Sequence, residues 1–237
     1  MAGKTAGKRK ARICFVSLIC ALILLLTSCD FRLKSQGDVE AYLERKYGRE
    51  FTVLSSESVT DEYYDDVWKV MAYTVSPNDN PETHFFVFNT VEGERFSVPG
   101  FRNGLQDTYS LDIFSQAFET RAADTDVEYS FDYFYPVKSS SVYYSDLYVN
   151  IEPVSSENLE TVCTVLSLAY ADTFEEVKEI PYGVSVMLTY RESAWPEDQS
   201  CLIKIDSLYL SGLDTNAETI EEYILNEVSK YQTNQGD

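Results

Sequence analysis

The first 28 residues read as a segment apart from the rest of the chain, and that decides what is left to fold. Met1 to Arg12 carries Lys4, Lys8, Arg9, Lys10 and Arg12 and no acid. A 14-residue apolar run from Ile13 to Leu26 follows, then Thr27 and Ser28 before Cys29. Basic, apolar, then small is the order of a secretory signal. As a helix the run would extend roughly 21 Å at ~1.5 Å per residue, short of the ~30 Å hydrocarbon core that a membrane span must cross. Without residues 1–28 the chain keeps 209 residues, enough for one large domain or two small ones.

Leu26-Thr27-Ser28-Cys29 resembles the lipobox of bacterial lipoproteins. The resemblance implies cleavage before Cys29, lipidation of Cys29, and residence at the extracytoplasmic face of the cell membrane. Residues 29–37 would then be a polar tether and 38–237 the folded part. Asp30 is similar to the inner-membrane retention signal of double-membraned bacteria, which decides nothing in a single-membraned one. The opening of the folded part, a helix ending at Tyr47-Gly48 with Phe51 close behind, is similar to that of many exported lipoproteins of uncharacterised function.

Charge narrows the partners. The signal takes five bases and no acid with it, leaving 14 basic against 39 acidic residues, a formal charge of −25. So acidic a body has no basic face for nucleic acid, and its only expected hold on a membrane is the lipid. Of five cysteines, Cys14 and Cys20 leave with the signal and Cys29 is the lipid site. Cys163 and Cys201 remain, and two readings stay open: one bridge, permitted outside the cytoplasm, or two buried thiols.

The periodicity predicts an α+β fold of antiparallel sheets with about four helices. Asp38 would cap a helix carrying Val39, Tyr42, Leu43 and Tyr47 on one face, stopped at Gly48. Strands follow over 51–59, 67–75 and 83–91, the last two forming a hairpin about Pro77 and Pro81. Phe85 and Val87 on one face, with Phe86 and Phe88 on the other, suggest that the third is interior. A short strand is expected over 94–98 and a helix opening at Asp107 with Leu111, Phe114 and Phe118. Strict alternation from Val127 to Val137 reads as a half-buried strand, and Pro136 near its end argues for an edge position or a bulge there. Leu147, Val149 and Ile151 alternate back. Beyond a lobe boundary expected near 153–156 come a helix over 157–171, strands over 182–190 and 201–210, and a last helix capped by Thr215 with Glu218. The order of elements leaves room for two similar lobes, though ordinary amphipathic patterning accounts for the likeness between Val39–Leu43 and Ile220–Ile224.

No pattern carries catalysis. Phosphate loops, nucleophile elbows and HExxH stretches are missing from the sequence. His84 is the sole histidine and reads as a packed strand residue. Two acidic groups, Asp61, Glu62, Asp65 and Asp66, and Asp124, Asp126 and Glu128, lack the spacing of a calcium loop and read as solvated turns. No metal or cofactor is expected. Tyrosines are dense, and Tyr133, Tyr135, Tyr143, Tyr144 and Tyr148 form a candidate binding surface for a protein, peptide or glycan. The sequence therefore favours a lipid-anchored binding module over an enzyme. A carboxylate-based hydrolase at the cell surface and a calcium-dependent adhesion module are the rivals.

Overall fold

The computed structural model describes residues 33–61, 69–90, 104–134, 137–138, 146–196, 198–206 and 215–235. They form an α+β structure with four helices and two sheets. The first helix, α1 (Gln36–Tyr47), is capped by Ser35 rather than Asp38. Asp38 sits at the third helical position and returns the bond: its carboxylate accepts from the Ser35 backbone at 2.9 Å, and Ser35 Oγ accepts from the Asp38 backbone at 3.3 Å. Two donors at the helix start are thereby satisfied reciprocally. The helix stops at Gly48, whose φ of 69° is left-handed and costs glycine little.

Four strands then run back and forth: β1 (Phe51–Asp61), β2 (Lys69–Pro77), β3 (Phe85–Thr90) and β4 (Gly104–Asp107). Their order is β4-β3-β2-β1, all antiparallel, so β3 is interior as its two apolar faces require. One face buries Phe51, Tyr73, Val75, Phe85 and Val87 against Val39 and Leu43 of α1. The other carries Val59, Ala72 and Phe88, with Phe86 reaching the second core.

After β4 the chain enters α2 (Tyr109–Ala122), β5 (Tyr129–Phe134), β6 (Val137–Lys138) and β7 (Asp146–Val154), followed by α3 (Leu159–Val177), β8 (Val184–Tyr190), β9 (Cys201–Asp206) and α4 (Ala217–Gln235). The second sheet has the order β5-β7-β8-β9, which puts β5 at an edge as expected. Its buried face, with Leu147, Val149, Ile151, Val186, Leu188 and Ile203, packs on the apolar stripes of α2, α3 and α4.

The structure corrects several expectations. The alternating stretch from Val127 is not one strand: after Phe134 the chain leaves the second sheet, and Val137 pairs with Asp61 at the edge of the first. The 153–156 segment is not a lobe boundary, because β7 before it and β8 after it are parallel neighbours in one sheet, with α3 as the crossover. The first core is built mostly from residues before Thr108 and the second mostly from residues after it, with Tyr109 and Val177 belonging to the first and Phe86 reaching the second, and the connections differ. The first sheet is a meander, while the second contains a parallel pair, so ordinary patterning explains the resemblance between the halves. Asp107 ends β4, and Thr108 takes the position before α2. At α4 the carbonyl of the Asn216 side chain accepts from the Thr219 backbone at 2.9 Å, where Thr215 had been expected to cap. His84 is exposed and precedes β3, while Thr83 beside it is buried. The expected strand over 94–98 lies outside the described residues.

Candidate functional site

The residues singled out by sequence do not converge. Cys29, Tyr135, Tyr143 and Tyr144 lie outside the described residues. Tyr133 and Tyr148 are both described, but the register separates them. Tyr133 stands opposite Leu147 and Tyr148 opposite Asp132, and directly opposed residues share a face. Tyr133 therefore packs toward the helices with Leu147, and Tyr148 lies on the other side with Ser185 as its neighbour on β8. A single surface joining these two tyrosines does not form. Cys163 and Cys201 are unbridged thiols buried in one core, so of the two open readings the packing one holds and the bridge does not form. Burial pushes the Cys163 thiol up to about 12, which keeps it protonated and inert. Asp124, Asp126 and Glu128 are exposed along one turn, and among the described residues no three His, Cys, Asp or Glu side chains are placed to hold a metal.

What the fold does assemble is a polar cluster where the two cores meet. The C-terminal turn of α1, the end of β4 and the chain leaving α3 come together there. The Asp107 side chain is wholly buried and accepts three bonds: from Tyr42 Oη at 2.8 Å, from Lys46 Nζ at 3.0 Å, and from Tyr47 Oη. Lys46 Nζ also reaches Glu179 at 2.9 Å and lies 4.8 Å from the centre of the Tyr47 ring. One turn on, Arg49 donates to Tyr109 Oη at 2.6 Å and pairs with Asp79 and Glu176. Lys46 and Arg49 of the first lobe are thus both tied to carboxylates just at or beyond the end of α3.

This cluster is fixed rather than poised for proton transfer. Burial, reinforced by the Asp107 charge, pushes the phenols of Tyr42 and Tyr47 well above the ordinary tyrosine range. For Lys46 burial pulls downward, but the neighbouring carboxylates Asp107 and Glu179 prevail and raise it. Burial likewise raises Tyr109, to about 12, against the pull of Arg49. Lysine charged and phenols protonated is therefore the state at any physiological pH.

Beside the cluster opens a recess of about 240 Å³, walled by Tyr42, Lys46, Leu105, Gln106, Glu179 and Tyr182. Tyr182 is 63 % exposed and stands at its rim. Past Tyr42 and Leu105 the depression continues along α1 to Ala41, Asp38 and Lys34, as a wider groove of about 690 Å³. Tyr42 and Leu105 line both parts, so the two make one channel between α1 and β4. Sequence reasoning missed this site. Tyr42 and Tyr47 read as apolar face, and Asp107 as a helix cap. Their partner Glu179 is 132 residues from Tyr47, with no local signal to join them.

No family model matches the chain, and no curated protein matches it. Among solved structures, it is similar to a DUF5037 family protein from Ruminococcus gnavus ATCC 29149, known from a crystal structure at 2.55 Å resolution. The identity is 13 % over 71 % of this chain and 89 % of that one, with a TM-score of 0.27. That score is below the level of a shared fold, so the architecture and the site rest on this chain's own residues.

Proposed function

We propose that the mature chain is a lipid-anchored, extracytoplasmic interaction module that meets its partner in the channel between α1 and β4. The address rests on the basic, apolar and small order ending in Leu26-Thr27-Ser28-Cys29. The observation that carries the binding role is the recess at the lobe junction, where an exposed aromatic, Tyr182, stands over a polar floor held rigid by the Lys46 cluster. Junctions between lobes are where ligand sites concentrate, and a preformed floor lowers the ordering cost of binding.

The hydrolase reading is less well supported. It needs a carboxyl group that touches substrate and trades a proton. Asp107 is sealed from solvent with three donors already on it, and Glu179 is paired to the same lysine.

Two measurements test the proposal. A Cys29→Ser precursor should fail to incorporate labelled fatty acid, and labelling equal to wild type would remove the anchor. A photo-reactive amino acid in place of Tyr182 should give a discrete adduct on intact cells, and one in place of the exposed Leu225 on α4 should not. Absence of an adduct at 182, or the same adducts from both positions, would refute binding at the recess.

A further inference from the structure

The channel is bounded on one side by a strand that has no neighbour beyond it among the described residues, since β4 ends the order β4-β3-β2-β1. The register settles which of its backbone groups face outward. The Thr108 backbone donates to the Phe86 carbonyl at 2.9 Å, so Phe86 and Thr108 are a hydrogen-bonded pair. Antiparallel pairs alternate between bonded and non-bonded. Phe88–Gln106 and Thr90–Gly104 are then the next bonded pairs, while Val87–Asp107 and Asn89–Leu105 are non-bonded. Leu105 and Asp107 consequently turn both N–H and C=O away from β3. Two donors and two acceptors stand about 6.7 Å apart along the edge, at strand spacing. The same two residues line the recess, and Leu105 lines its continuation along α1.

We infer that an extended peptide adds as a further strand to the edge of β4 and lies in the channel beside α1. The inference rests on the interaction-module reading and names its partner. Strand addition takes affinity from main-chain bonds and specificity from alternate side chains. Both parts are present: the outward groups of Leu105 and Asp107 supply the bonds, and the recess between Tyr42 and Tyr182 receives every second side chain. A glycan has no repeating donor and acceptor at this spacing. Charge sets the peptide's character. Against a body of formal charge −25, an acidic peptide is repelled and a neutral or basic one drawn in. Glu179 at the recess and Asp38 and Glu44 along α1 offer such a peptide carboxylates.

The test uses the full chain in detergent micelles and a display library of random linear dodecapeptides. A selected peptide is resynthesised with each backbone nitrogen methylated in turn. Sensitivity should follow a period of two, with about three- to tenfold weaker binding at alternate positions, the loss expected for one main-chain bond. Bound peptide should slow hydrogen exchange at the Leu105 and Asp107 amides. Leu105→Pro deletes an outward-facing donor at a position where edge strands tolerate proline, and also removes a side chain that packs on the first core and lines the recess, so it should weaken binding by at least a similar factor. Hydrogen exchange on free Leu105→Pro establishes that it folds, and the methylation scan on wild type decides independently.

Failure to select any peptide, a methylation scan without the period, or exchange at Leu105 and Asp107 unchanged by peptide would overturn strand addition. So would peptide-blocking self-association of the chain through β4, or binding of cello- and chito-oligosaccharides in place of peptide. An adduct at position 182 together with a scan lacking the period would leave the interaction module standing and remove only the strand. Loss of the adduct would remove both.

Discussion

Asp107→Ala is the substitution whose effect the structure predicts most directly. The wild-type carboxylate holds two phenols and an ammonium in a site it does not share with water. Its removal strands three donors at once. A buried donor left without a partner costs about 1–3 kcal/mol, and breaking a buried ion pair from one side costs about 3–5 kcal/mol. Two features pull toward the lower end. Lys46 is 30 % exposed and keeps Glu179, and Tyr47 also retains Glu179 at 3.2 Å. The expected loss is about 3 kcal/mol, a fall of roughly 6–12 °C in Tm for a body of this size. Asp107→Asn keeps one acceptor oxygen and should lose about half as much. Urea unfolding of the mature chain with serine at position 29 reads this as a lower midpoint at constant slope. Glu179→Gln is the internal comparison: its side chain is 38 % exposed, solvent screens the pair, and the change should stay below about 1 kcal/mol. Asp107→Ala within about 0.5 kcal/mol of wild type, or no more harmful than Glu179→Gln, would refute the view that Asp107 anchors the junction.

Two further outcomes follow from the cores. Unreduced chain alkylated under denaturing conditions should show both Cys163 and Cys201 modified, and under native conditions neither. Cys163 also sets a direction with pH. Its thiol titrates from 9.0 when unfolded to about 12 when folded, so the unfolded chain releases its proton first, and the stability present below pH 9 falls as pH rises toward 12. Cys163→Ala should flatten that fall by up to about 1.4 kcal/mol per pH unit between pH 9 and 10, measured by urea midpoints at stepped pH. Tyr133→Ala should destabilise the second lobe, while Tyr148→Ala, on the face away from the helices, should leave the urea midpoint within about 0.5 kcal/mol. Equal effects from the two would contradict the register that separates them.

The elements legible in the sequence are those whose burial writes a long period. α3 buries a stripe from Leu159 to Val177, α4 buries Ile220, Ile224 and Val228 at helical spacing, and the alternation in β7 and β8 survives as alternate burial along the strands. β3 could be placed inside a sheet because apolar residues on both faces leave few other solutions. β4 is four residues with one aliphatic side chain, too short to show a period, and Asp107-Thr108 before an apolar stripe reads as a helix start. The channel depends on that strand and was hidden with it. Of its other parts, Tyr42 reads as part of an apolar helix face, and nothing local in the sequence singles out Lys46 or Glu179. Contacts across 60 to 132 residues are products of topology, and no local pattern encodes them.

The start of α1 is pinned from two sides, by the Ser35–Asp38 box and by the Tyr73 hydroxyl donating to the Lys34 carbonyl. The segment leading into α1 therefore meets the first sheet at a fixed point. From Ser35 back to Cys29 is six residues, at most about 21 Å of extended chain. With a lipid on Cys29, α1 begins inside that distance of the bilayer, and the recess follows after about three helical turns, roughly 17 Å further at most. On the proposed anchor, such a short leash would turn recognition into a search over the membrane plane. A partner rooted in the same leaflet meets the channel at an effective concentration that short tethers raise to the millimolar range, so a bond too weak to form in dilute solution suffices. A partner diffusing freely gains nothing from the leash. Lengthening it by twenty glycine and serine residues should weaken capture of the first kind of partner and leave the second unchanged.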